Sequence, residues 1–167
     1  MSEAKARWTA FLGKVRARLA EILEEADAGF DEIVSVEVID PGPITSAQNE
    51  VRARLHALTD KIDASFAKLE AELGDHADMA QDEGRALSDE ILEAAEAIEA
   101  SSQKKWVKRL RELAAQERAA RKLNCSRCGA TLPEPEIQHR VVNVTCSHCE
   151  AVNTVRPGAA MAMLGGK

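Results

Sequence analysis

The chain has 167 residues, 45% of them hydrophobic and 30% charged, which suits one or two folded domains rather than a disordered tail. Aromatic residues make up only 3%, with no tyrosine; so few large rings build thin helical contacts rather than a deep core around a pocket, and neither an enzyme cleft nor a small-molecule substrate is expected. The net charge of −6 divides unevenly, since residues 1–103 hold 10 Lys/Arg against 23 Asp/Glu and residues 104–167 hold 12 against 5, a polarity that bears on partners.

The first large apolar residues fall at Trp8, Leu12, Val15, Leu19 and Ile22. Steps of four and three mark one helix face, so a helix is predicted over residues 3–28, with Gly29 placed to end it. The start of the chain mixes acid with base and lacks an apolar leader, and no run of 18 apolar residues follows. No membrane span is therefore expected, and the cytoplasm is the expected address. Residues 31–39 are rich in β-branched types and predict a short strand or an extended link. Pro41, Gly42 and Pro43 then force a turn.

Thr45 and Gln48 have the spacing of a capping box, which predicts a second helix beginning there. Its stripe is Val51, Leu55, Leu58, Ile62, Phe66, Leu69 and Leu73. Gly74 and Gly84 bracket a polar, acidic segment, the expected break. A third helix, capped near Ser88, carries Leu87, Ile91, Ala95, Ile98, Trp106, Leu110 and Leu113 and runs to about Lys122. The alternative is one helix over residues 46–122, more than roughly 100 Å long.

Directly before the cysteines lie Lys104, Lys105, Lys108, Arg109, Arg111, Arg118, Arg121 and Lys122, with two acids among them. Three readings are open. The segment docks phosphates, it is a solvated helix end, or it pairs with residues 70–99, which hold 11 acids and one arginine. Trp106 falls on the apolar stripe and is expected in the core.

Cys125, Cys128, Cys146 and Cys149 form two C-x-x-C pairs separated by 17 residues. Two thiols at that spacing reach one side of a tetrahedron, and four fill it, so the pattern predicts a single structural Zn²⁺. A disulfide or a rubredoxin-like iron site is disfavoured by the paired thiols and by the lack of shielding rings. Gly129 can take the left-handed turn after the first pair, while Glu150 in the matching place predicts a strained turn. His139 and His148 are expected at the surface rather than on the metal. Strands are predicted over residues 137–145 and 152–156.

Through C-S-R-C-G-A and C-S-H-C-E-A-V-N-T-V the segment resembles the zinc-ribbon family over about 35 residues. The resemblance implies a small β-sheet around a closed zinc, and a role in binding nucleic acid, binding protein, or stapling a fold. Residues 1–122 carry no family motif.

Together these features predict a mainly α protein: a helical hairpin or three-helix bundle over residues 1–122, a β zinc ribbon over 123–157, and a flexible tail over 158–167. The expected role is a non-catalytic protein-interaction, scaffold or self-association module. The alternative is nucleic-acid binding through residues 104–122 and the ribbon. A redox switch that releases zinc on oxidation is a third possibility.

Overall fold

The computed structural model describes residues 3–36, 40–135 and 140–165. Helix α1 spans Glu3–Ser35, α2 spans Gly42–Leu73 and α3 spans Ala77–Ala120. Strands β1 (Val142–Thr145) and β2 (Val152–Val155) and a short helix α4 (Ala159–Gly165) follow. The chain divides into two compact units, Met1–Val34 with Pro41–Lys104, and Ser35–Asp40 with Lys105–Lys167.

The first unit is a three-helix bundle with its own core. The α1 stripe predicted from Trp8 to Ile22 is buried throughout. It does not stop at Gly29, because Ala26 and buried Phe30 continue the same face at i+4 spacing. Packing along that face overrides the β preference of the following residues, so helix replaces the expected strand or link up to Ser35. The remainder of that segment, residues 37–39, lies outside the described residues.

Helix α2 begins at Gly42, earlier than the predicted capping box. Pro43 occupies the first turn, and Pro41 C=O accepts from Thr45 N–H at 3.1 Å. No side chain caps this end, so Thr45 and Gln48 do not act as the box. Gln48 instead donates to Ser102 Oγ at 2.8 Å. Ser102 is fully buried and fills the step between Ile98 and Trp106 that the apolar pattern left empty.

The break falls at Gly74, where a three-residue 3₁₀ turn separates α2 from α3. Its φ of 54° is one that side chains disfavour. Gly84 breaks nothing, and α3 starts at Ala77 rather than near Ser88. A Cβ at Gly84 would lie 3.1 Å from both Ile62 Cγ2 and Trp8 Cζ2. Here glycine permits a close approach between helices. Trp8 is fully buried there, stacked on Phe11 at 5.6 Å and edge-on to Phe66 at 5.9 Å.

Ion pairs flank this core: Lys5 with Glu83 at 2.6 Å, Arg7 with Glu72 at 2.8 Å, Arg16 with Glu90 at 3.7 Å, and Arg52 with Glu99. The Arg7, Arg16 and Arg52 pairs are exposed and stabilise little individually, whereas Lys5 is itself buried. All four pairs take acids from the 70–99 stretch.

The second unit holds the last turns of α3, the β ribbon and α4. Trp106, Leu110 and Leu113 are buried, as the stripe predicts. Residues 158–167, expected as a flexible end, contain α4 with Ala160 fully buried, and Ala160 N–H donates to Glu117 Oε1 at 3.3 Å. Among the described residues no helix is long and apolar enough to cross a membrane.

Candidate metal centre

Each C-x-x-C pair sits on a tight turn. After the first, Gly129 N–H donates to Cys125 C=O at 2.9 Å and Gly129 has φ 77°. After the second, Glu150 N–H donates to Cys146 C=O at 3.0 Å and Glu150 has φ 57°. The left-handed turn expected after both pairs is therefore present, and Glu150 adopts it at a steric cost that glycine avoids. The turns also aim backbone donors at sulfur. Arg127 N–H approaches Cys125 Sγ, and His148 N–H approaches Cys146 Sγ, each at 3.4 Å.

Two strands place the turns. Val142 pairs with Val155 and Thr145 with Val152 in an antiparallel ladder, leading directly into and out of the second pair. The inward side chains Val144 and Val155 join Leu132, Cys125 and Cys146 in a small buried cluster. The predicted strand 137–145 is shorter, beginning at Val142; residues 136–139, and His139 with them, lie outside the described residues.

All four sulfurs lie within 4.8 Å of one another. Cys125 to Cys149 is 3.6 Å and Cys128 to Cys146 is 3.7 Å. A tetrahedral ion with metal–sulfur bonds near 2.3 Å has sulfur–sulfur edges of about 3.8 Å. The donor set therefore fits one tetrahedral metal ion. His148 is exposed and contributes its backbone N–H to the site, not a described ring contact.

The electrostatics are uneven. Backbone N–H groups of Cys128 and Arg127, aided by Asn153, hold the Cys125 thiol down at about 6. Ala151 N–H favours the Cys149 thiolate, but the Cys128 thiol, burial and the Cys125 and Cys146 thiols push it up to about 12. Four sulfurs this close repel as thiolates, and a bound cation relieves that repulsion because metal ligands are deprotonated.

Asn153 braces the cysteine turns, a place that the sequence pattern does not mark. Buried on β2, it accepts from Ser126 N–H at 2.9 Å and from Ser126 Oγ at 3.0 Å. Its amide donates to Ala151 C=O at 3.0 Å and contacts Cys125 Sγ at 3.6 Å. One side chain thus ties the first turn to the strand leaving the second. Its signal in sequence is only a polar residue at an inward position of a predicted strand. Asn153→Ala should lower metal affinity about 10–100-fold, the usual effect of losing a group that orients a ligand. Competition titration with a chromogenic chelator measures it, and unchanged affinity would refute the role.

The eight basic residues do not act as one group. Arg109 is half-buried and pairs with Glu112 at 3.6 Å, and Arg118 pairs with Glu134 at 3.4 Å. Half-buried Lys105 makes an interaction of its own. Lys104, Lys108 and Arg111 are exposed on α3, while Arg121 and Lys122 lie beyond its end. Lys108, Arg111 and Arg118, at steps of three and seven, share one outer line of the helix.

No protein-family model matches the chain, nor does any curated protein or solved structure. The molecule is thus defined by its own geometry, as a three-helix bundle followed by a small β ribbon with a cluster of four cysteines that could hold a metal ion.

Proposed function

We propose that this chain is a non-catalytic interaction protein in which one Zn²⁺ staples the β ribbon and the bundle supplies scaffold geometry. The observation that supports the reading most is the convergence of four cysteine sulfurs, all within 4.8 Å of one another. Four thiolates fill every position of a tetrahedral zinc, whereas catalytic zinc keeps one position for water or substrate. Sulfur donors at these separations also select zinc over hard cations such as Mg²⁺ or Ca²⁺. Purified reduced protein should carry about one zinc per chain, and Cys125→Ser or Cys146→Ser should lose it. Elemental analysis that finds iron, or no metal in fully reduced protein, would overturn this assignment.

Nucleic-acid binding is the second reading, supported by the open line of Lys108 and Arg111 and by the acids of residues 70–99 pairing with Lys5, Arg7, Arg16 and Arg52. Lys108, Arg111, Arg121 and Lys122 would neutralise few phosphates, giving a salt slope of only about −4 on duplex DNA. The strongly acidic portion before residue 104 opposes a polyanion as well, over the roughly 8–10 Å that screening allows. Weak nucleic-acid affinity at about 0.15 M salt is the outcome the interaction reading requires.

A further inference from the structure

We propose that the free edge of β2 docks an extended acidic peptide segment of a partner protein, adding a strand to the ribbon. The inference rests on the interaction-module reading and names the surface and the chemistry of its partner. Among the described residues strand β2 is bonded to β1 on one side only, in a two-stranded sheet. Cys146 N–H donates to Ala151 C=O at 2.9 Å, which sets the phase of the antiparallel alternation. Counting by twos, Asn153 and Val155 exchange the ladder bonds with β1. Val152 and Thr154 turn their backbone N–H and C=O groups away from it. Among the described residues no backbone bond outside the ladder takes these groups up.

That edge is open rather than covered. A groove of about 480 Å³ is lined by residues 152–156 of the chain and by none of β1, which places it on the outer side of β2. The groove's lining also includes Arg121, Lys122, Asn124 and Ser126, and Arg156 follows directly after the strand. Among the described residues no acid pairs with the side chain of Arg121, Lys122 or Arg156. Val152, 65% exposed, offers an apolar contact at the other end of the strand.

Two independent features therefore converge on one occupant. Unpaired ladder groups repeat every second residue, the spacing another strand supplies and a phosphate backbone does not. Unmatched cations line the groove, so the incoming strand carries acids. An exposed edge is otherwise an aggregation hazard, and these cations oppose its pairing with its own copy, because like edges repel.

The test uses full-length zinc-loaded protein and labelled decapeptides alternating valine with glutamate, glutamine or lysine, together with a 20-nucleotide single-stranded DNA. The glutamate peptide should bind with Kd of about 10–100 μM, and the lysine peptide at least tenfold more weakly. Arg121→Glu plus Arg156→Glu should weaken the glutamate peptide at least tenfold. Thr154→Pro removes one outward N–H, keeps every cation, and should abolish binding while zinc content stays unchanged. Should that variant fail to fold, amide exchange on the native chain replaces it, with Val152 and Thr154 slowed at least tenfold by the peptide. Equal affinity for all three peptides, binding that survives Thr154→Pro, or unprotected Val152 and Thr154 amides would each overturn the proposal. No peptide binding, with self-association seen by sedimentation, sinks the edge and leaves the interaction reading standing. DNA bound more tightly than any peptide sinks both.

Discussion

Chelation of the metal should unfold the ribbon and leave the bundle standing. Treated with EDTA under reducing conditions, the protein should lose protection and chemical-shift dispersion over residues 124–157 and keep most of its helical circular dichroism. The ribbon's buried cluster comprises Leu132, Val144, Val155 and the cysteines Cys125 and Cys146. A core that small buries too little apolar surface to offset the ordering of some 35 residues. Structural zinc supplies about 10–16 kcal/mol at neutral pH, enough to make folding of the segment depend on it. The bundle's core, from Trp8 to Ile91, contains no cysteine. Chelation should therefore show a metal-linked loss confined to one segment, reversed by stoichiometric zinc. Loss of most helix along with the ribbon would show that the two are one cooperative unit.

How far the sequence speaks differs between the two parts. The clustering of the four cysteines was legible because two C-x-x-C pairs have the spacing that tetrahedral coordination requires, and Glu150 was legible as a strained residue because the turn demands a positive φ. Helical faces were legible wherever Leu, Ile, Val and Trp recur at three and four. Boundaries were not. Glycine has two opposite uses in helices, and only tertiary contact decides between them: Gly74 ends α2, whereas Gly84 lies mid-helix against Trp8 and Ile62. Gly29, with no neighbour near its missing side chain, does neither. Ser102 and Asn153 escape the pattern for a related reason. Each is a buried polar group made tolerable by partners distant in sequence, Gln48 for the first and Ser126 for the second. The edge of β2 that no third strand covers among the described residues is invisible for the same cause, since nothing local states it.

Trp8→Ala should be the most destabilising single substitution in the bundle, at about 3–5 kcal/mol. Trp8 has no exposed surface, contacts Phe11 and Phe66 through its ring, and lies against the backbone of α3 at Gly84. Its indole Nε1 is buried without a partner, so Trp8→Phe removes an unsatisfied donor along with volume and should cost much less than the alanine. The same contact gives a sharper test from the other side. A methyl at Gly84 meets Ile62 and Trp8 at 3.1 Å, tighter than ordinary van der Waals contact. Gly84→Ala sets that crowding against about 1 kcal/mol of helix propensity and should be close to neutral. Gly84→Leu cannot be absorbed in the same way and should cost about 1–3 kcal/mol through overpacking. In the Trp8→Ala background the leucine has the vacated indole space to enter, so its penalty should vanish or reverse. That non-additivity, read from urea unfolding followed at 222 nm, measures the Trp8–Gly84 contact directly. Additive effects in the double variant would mean that the two residues do not share the packing site seen between α1 and α3.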